Sequence, residues 1–139
     1  MADGTDEPPT DPSGSAFKLD NARRRALIAE RAAAAVRVAA LTRDIERLIE
    51  ATTAANADDE HDPEGATIAF ERAQAIASRA RAEAILGEVD DALRRLEQGR
   101  YGTCELCGGR ISADRLTAIP LSRTCIRCAR QLRRPAPSA

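Results

Sequence analysis

The sequence has 139 residues, a formal net charge of -1 and three aromatic residues, one Tyr and two Phe. Such a chain can bury a long, narrow seam between helices, but it lacks the large side chains that a wide globular core requires. No stretch has the pattern of a signal peptide or a membrane span. We therefore expect a cytoplasmic protein whose thiols stay reduced.

The N-terminal part divides into an acidic segment and a helix. Residues 1–16 hold four acids and no base, and they offer little apolar surface to offset the entropy of ordering, so we predict a disordered tail. A first helix is predicted to begin near Leu19 or Asp20, because Asp is a favoured cap. Apolar residues then recur at steps of three and four, with one longer step over Arg31, which predicts a coiled-coil seam. The seam residues are Leu27, Ala34, Val38, Leu41, Ile45 and Leu48.

A second helix is predicted from about Thr67 to Gln98. It follows a segment, about residues 56–67, whose Pro63 and Gly65 favour a turn. Its seam residues are Ile68, Ala75, Ala82, Leu86, Val89, Leu93 and Leu96. Gly99 comes next, at the position where helices commonly end in a left-handed residue.

Together these elements predict a mainly α fold, a long antiparallel coiled-coil hairpin followed by a small four-cysteine unit. The hairpin would be about 50 Å long. Its many seam alanines bury little area, so we expect an anchor where the two helix ends meet, next to the cysteines. The predicted units are an acidic tail at 1–16, the hairpin at 17–99, a zinc finger at 100–132 and a flexible tail at 133–139.

The cysteines form two Cys-x-x-Cys pairs, Cys104 with Cys107 and Cys125 with Cys128, separated by seventeen residues. This spacing is typical of a four-cysteine zinc site, because two residues between thiolates let one turn hold both sulfurs about 2.3 Å from one ion. A redox pair is the alternative, but it requires a βαβ setting that the sequence lacks. Four thiolates close the coordination shell, so we predict one structural Zn²⁺ and no enzyme activity.

The turn between the helices is strongly acidic. Its acids, which flank His61, are Asp58, Asp59, Glu60, Asp62 and Glu64. A charge run of this kind usually marks a solvated loop. The alternative is a carboxylate tip at the end of a rigid rod, able to approach a metal ion or a basic pore.

The stretch that contains the cysteines resembles the zinc finger of the DksA/TraR family. The matching features are Gly102, the first Cys-x-x-Cys-Gly, Ile111, Arg115-Leu116, Ala118, Pro120 and the closing Cys-x-x-Cys. The upstream hairpin is similar to that of the longer members. The resemblance implies a transcription regulator that binds RNA polymerase, as core or holoenzyme, inserts its hairpin tip into the secondary channel and docks its zinc end on the channel rim. We expect a monomer with no membrane partner and no sequence-specific DNA binding.

Two departures from the family pattern qualify that resemblance. The family's tip carries Asp-x-x-Asp-x-Ala, whereas here Asp62 is followed by Gly65 and Thr67 at the other two positions. We predict Asp62 and Glu64 as the residues that face the polymerase active site. Members that bind the alarmone guanosine tetraphosphate use basic residues whose positions here are Glu88, Ile119 and Ala129. We therefore predict little alarmone dependence. The candidate docking or anion contacts are Arg115, Arg127 and Arg130.

Two alternatives come from other functional classes. A zinc protein that binds nucleic acid or the ribosome would use the C-terminal arginines on phosphates. Those arginines are Arg123, Arg127, Arg130, Arg133 and Arg134. Only Tyr101 lies in this basic region to stack on bases, which weakens that alternative. A structural coiled-coil adaptor is the other.

Overall fold

The computed structural model describes residues 12–55 and 63–133. It contains two long helices, α1 (Pro12–Ala55) and α2 (Pro63–Glu97), followed by two short ones, α3 (Ala113–Ala118) and α4 (Ile126–Leu132). Within these residues there is no strand, only one isolated bridge between Thr103 and Arg110. The predicted class is confirmed: a long antiparallel helical hairpin, here called the shaft, carries a small four-cysteine unit, here called the head.

Both long helices begin earlier than the sequence pattern predicts. The first starts at Pro12 rather than near Leu19 or Asp20, and the second at Pro63 rather than Thr67. Each of these prolines follows an Asp in the sequence. Asp is favoured just before a helix, and Pro is favoured at its first position, because its missing N–H has no partner there in any case. Residues 12–16, which were expected in the tail, are therefore helical.

The longer helices also lengthen the shaft. At 1.5 Å per residue, the 44 residues of α1 span about 66 Å and the 35 residues of α2 about 53 Å, against the predicted 50 Å. Of the tails predicted at 1–16 and 133–139, residues 1–11 and 134–139 lie outside the described residues, as does the turn that contains Asp62.

The predicted seam is confirmed as the surface that joins the two helices, since every one of its residues is buried or half-buried. Its tightest part is near the head, where Leu27 packs with Val89 and Ala92. The polar interruption at Arg31 also has a partner, because its Nε lies 2.6 Å from a carboxylate oxygen of Asp90 on the other helix. The break in the apolar pattern is thus an ion pair at the edge of the seam.

The junction between shaft and head is short and well packed. Gly99, with a φ of 68°, ends α2 in the predicted left-handed conformation. Tyr101 packs against both the shaft cluster and the cysteine cluster, and its hydroxyl donates a hydrogen bond to the carbonyl of Pro120 at 2.7 Å. The guanidinium of Arg23 lies 5.7 Å from the centre of its ring. The two ends of the hairpin therefore meet at the anchor that the weak, Ala-rich seam requires.

None of the helices in the described ranges combines the length and the hydropathy of a membrane span.

Candidate metal centre

Two tight turns bring the cysteine pairs together. In the first, the N–H of Cys104 donates to the carbonyl of Gly109 at 2.8 Å, and the N–H of Gly108 donates to the carbonyl of Cys104 at 2.9 Å. This turn needs the left-handed φ of 70° that Gly108 adopts at low cost. In the second, Cys125 stands just before α4 and Cys128 lies in its first turn. Each pair is thus held by local backbone geometry that its own sequence supplies.

The four sulfur atoms form one compact group. All lie within 4.8 Å of one another, and the sulfurs of Cys107 and Cys125, one from each pair, are 3.8 Å apart. Four sulfurs arranged tetrahedrally at about 2.3 Å from a zinc ion would be separated by about 3.8 Å. Three of the cysteines are buried and Cys107 is exposed at the surface. The distances between the sulfur atoms therefore fit a single tetrahedral zinc ion.

The electrostatics of the thiols also fit a bound cation. Backbone N–H groups of Cys125 and Cys107 point at the sulfur of Cys104 and lower its pKa to about 6. The N–H of Cys128 likewise lowers the pKa of Cys125. By contrast, the neighbouring thiol of Cys125 raises the pKa of Cys128 to about 12. Four thiolates this close repel one another, so full ionisation requires a positive ion among them.

Apolar and hydrogen-bonded residues surround the sulfurs. Ile111 and Leu116 are buried against them, and the φ of Gly102 is 85°, at a place where an added side-chain carbon would lie 3.3 Å from Leu116. The carbonyl of Thr124 accepts a hydrogen bond from Nε of Arg115 at 2.8 Å. Arg115, which the sequence predicted as a docking contact, is half-buried, and this hydrogen bond holds the loop that leads to Cys125.

A cluster of charges connects the head to the shaft. Arg123 in the head donates to Glu105 at 2.9 Å and lies 3.6 Å from a carboxylate oxygen of Asp91 on α2. This hydrogen bond holds the pKa of Glu105 below its usual range and raises that of Arg123. Arg95 of α2 also faces Glu105, with 4.0 Å between its Nε and the nearest carboxylate oxygen.

Sequence reasoning missed Arg95 and the junction role of Tyr101. Arg95 is only 6% exposed, although apolar periodicity gives no reason to bury an arginine. A signal for Tyr101 was available, because it is the single tyrosine of the chain and directly precedes the Gly102–Cys104 turn. No comparable signal in the sequence indicates Arg95.

Comparison with known proteins identifies this unit. Residues 99–134 match the model of the prokaryotic dksA/traR C4-type zinc finger. The head is a DksA/TraR-type zinc finger. Its four cysteines hold one Zn²⁺, as the spacing predicted. This zinc is structural, because four thiolates fill its coordination shell and leave no position for a substrate.

Solved and curated proteins extend the comparison. The structure of transcription factor DksA2 from Pseudomonas aeruginosa superposes with a TM-score of 0.73 and 21% identity, over 89% of this chain and 90% of that one. An uncharacterized protein from Aquifex aeolicus is 49% identical over 51 residues, which are 37% of this chain and 35% of that protein. The uncharacterized protein YteA of Bacillus subtilis is 35% identical over 69 residues, 50% of this chain and 29% of YteA. The matches thus span about a third of each curated relative, while the DksA2 likeness covers the whole architecture of shaft and DksA/TraR-type head.

The remaining predicted site residues lie at opposite ends of the molecule. Glu64 is exposed in the first turn of α2, at the far end of the shaft. Arg127 and Arg130 are exposed on α4 in the head. Asp62 lies outside the described residues. The structure therefore separates Glu64 from Arg127 and Arg130 by the length of the shaft.

Proposed function

We propose that this chain regulates transcription by binding RNA polymerase, with its shaft inserted into the secondary channel and its head docked on the channel rim. The observation that supports this most is the likeness to DksA2, a transcription factor, over nine-tenths of both chains, combined with a head of the DksA/TraR type. A second support is the shape, since a shaft two helices wide and about 53 Å long along α2 suits a narrow pore.

The acidic end of the shaft is the part proposed to act. Asp62, which directly precedes the first residue of α2, and the exposed Glu64 would face the polymerase active site. Carboxylates are the ligands that Mg²⁺ prefers, so a tip of this kind can influence a catalytic site that depends on that ion. Because Gly65 and Thr67 replace two residues of the family's tip motif, Asp62 carries most of the proposed effect.

The head is proposed to act without an alarmone. Glu88 on α2 and Ile119 in the head are both exposed, at positions where alarmone-binding members have basic residues. Neither side chain carries a positive charge, and Glu88 would repel an anionic ligand. Arg127 and Arg130 are exposed cations that could dock on an acidic polymerase surface. We expect guanosine tetraphosphate to leave the transcriptional effect of this protein unchanged.

Catalysis is not part of the proposal, since the metal shell is closed. The nucleic-acid alternative is weakened further, because Tyr101, the aromatic residue of the basic region, is half-buried: its hydroxyl is bonded to Pro120, and its ring packs on shaft and head with Arg23 over it. Base stacking requires an accessible aromatic face. The C-terminal arginines are thus better suited to a protein surface than to base recognition.

The decisive experiment is in vitro transcription with the cognate polymerase. Wild-type protein should co-purify with core polymerase and change the yield of initiated transcripts. Asp62→Asn should bind but lose most of that effect, whereas Asp114→Asn, a matched change on the exposed surface of the head, should behave as wild type. Absence of both binding and effect in the wild type would refute the proposal. Equal activity of Asp62→Asn would overturn only the tip assignment.

A further inference from the structure

Arg95 is buried without the partners that a buried cation needs. Only 6% of the residue is exposed, and both Nε and Nη1 lack a hydrogen-bond partner within the described residues. Burial lowers the pKa of this guanidinium, because removing a charge from water disfavours the charged form. An arginine in this position requires a compensating negative charge nearby.

The adjacent carboxylates provide that charge only in part. Glu105 is 4.0 Å from Arg95, beyond hydrogen-bond distance, and its other oxygen accepts the hydrogen bond from Arg123. Asp91 is shared in the same way, with Arg94 at 2.7 Å and Arg123 at 3.6 Å. Glu105 and Asp91 therefore already form ion pairs with exposed arginines, Arg123 and Arg94.

A further source of negative charge is the metal centre, once its four thiolates hold zinc. Arg95 lines a hollow of about 190 Å³ together with Arg100, Thr103, Cys104 and Glu105. Cys104 is the most buried of the four ligands. A zinc ion held by four thiolates carries a net charge of -2, and one of those four ligands, Cys104, lines the same hollow as Arg95 of α2.

We propose that Arg95 is a positioning residue for the zinc centre: its buried positive charge offsets the tetrathiolate from the shaft side and couples zinc binding to the attachment of the head. The attachment at this point is direct, because the carbonyl of Arg95 accepts the N–H groups of Arg100 at 2.8 Å and Tyr101 at 3.1 Å. Arg95 thus links the last turn of the shaft to the start of the head through its carbonyl, while its side chain would balance the charge of the metal centre. Arg95 would have this role in the isolated chain, whether or not the protein binds RNA polymerase.

The coupling has a reciprocal consequence. If the charge of Arg95 favours the zinc-bound head, then bound zinc must equally stabilise the turn of α2 that holds Arg95. Loss of the charge should weaken zinc binding and also reduce the protection that zinc gives to the amides of Arg100 and Tyr101.

The test measures zinc affinity by competition with a chromophoric chelator, using the full chain. Arg95→Met keeps the length and apolar stem but removes the charge, and it should weaken zinc binding about tenfold or more, as loss of a group that supports metal ligands commonly does. Arg95→Lys, which keeps the charge, should recover most of the affinity. Arg81→Met removes an exposed charge from the same helix and should match wild type.

A spectroscopic measurement distinguishes charge from packing. In the cobalt-substituted protein, a nearby cation stabilises the sulfur electrons, so Arg95→Met should move the sulfur-to-cobalt absorption to lower energy, whereas Arg95→Lys should not. Zinc affinity of Arg95→Met within twofold of wild type would overturn the proposal. The proposal would also be overturned if Arg95→Lys bound zinc as weakly as Arg95→Met. That result would show that the planar shape of the guanidinium, and not its charge, is required. If Arg95→Met fails to fold, the comparison of Arg95→Lys with Arg95→Gln decides by the same criteria.

Discussion

The shaft and the head reach stability by opposite routes. The shaft spreads small contributions along more than thirty residues of each helix, with alanines in its seam and ion pairs such as Arg31–Asp90 at its edge. The head concentrates its stability in four sulfurs within 4.8 Å and a few buried residues around them. The shaft should therefore stay folded after most single substitutions, whereas the head should unfold when one zinc ligand is lost.

The largest expected effect is therefore in the head. Cys128→Ser removes one ligand and should abolish stoichiometric zinc binding, because structural zinc contributes on the order of 10 kcal/mol to folding of such units. The head should unfold while most of the shaft remains helical. Metal analysis and amide hydrogen exchange check this. Unfolding of shaft and head together would show that the two regions form one cooperative unit.

Zinc binding should depend on pH, with a sign set by the thiols. Zinc requires thiolates, so affinity falls as pH falls. Without metal, Cys104 has a pKa of about 6 and is already ionised at pH 8, whereas Cys128, with a pKa of about 12, must lose its proton. We expect fewer than four protons released per zinc at pH 8, and more below pH 6. Calorimetry in buffers of different ionisation enthalpy measures the number, and release of four protons at pH 8 would contradict the pKa assigned to Cys104.

A core change in the shaft should have an intermediate effect. Leu27 is 2% exposed and packs against Val89 and Ala92, so Leu27→Ala should lower the free energy of unfolding by about 2–5 kcal/mol. The neighbouring Ile28 is 51% exposed and supplies the matched control. Ile28→Ala should change stability by less than about 1 kcal/mol. Chemical denaturation of zinc-loaded protein compares them, and equal losses would mean that the seam is packed differently.

The smallest effect tests the contact between the two regions. Tyr101→Phe keeps the ring that packs on both clusters but removes the hydrogen bond to the carbonyl of Pro120. It should destabilise the protein by about 1 kcal/mol. Tyr101→Leu, which removes the ring as well, should cost more and should increase amide exchange on both sides of the junction. If Tyr101→Phe and Tyr101→Leu are equivalent, the ring contributes little to joining shaft and head.

The parts of this molecule that follow a short-range pattern could be predicted from sequence. The seam follows heptad spacing, and the zinc ligands follow the Cys-x-x-Cys turns, because both patterns arise within a few residues. The helix starts at Pro12 and Pro63 were misplaced, although each Asp–Pro pair carried the signal. Arg95 could not be found, because its burial results from the way α2 meets a loop ten residues later.

Shaft and head are joined almost without a linker, and this has a mechanical consequence. Only Gln98, Gly99 and Arg100 separate the last residue of α2 from Tyr101, and the N–H groups of Arg100 and Tyr101 are bonded back to the helix. The head therefore cannot swivel freely, and its orientation fixes the direction of the shaft. A tilt of about 10° at this joint would displace the far end of α2 by about 9 Å over its length of about 53 Å. A small change in the orientation of the docked head would therefore produce a large displacement at the far end of α2.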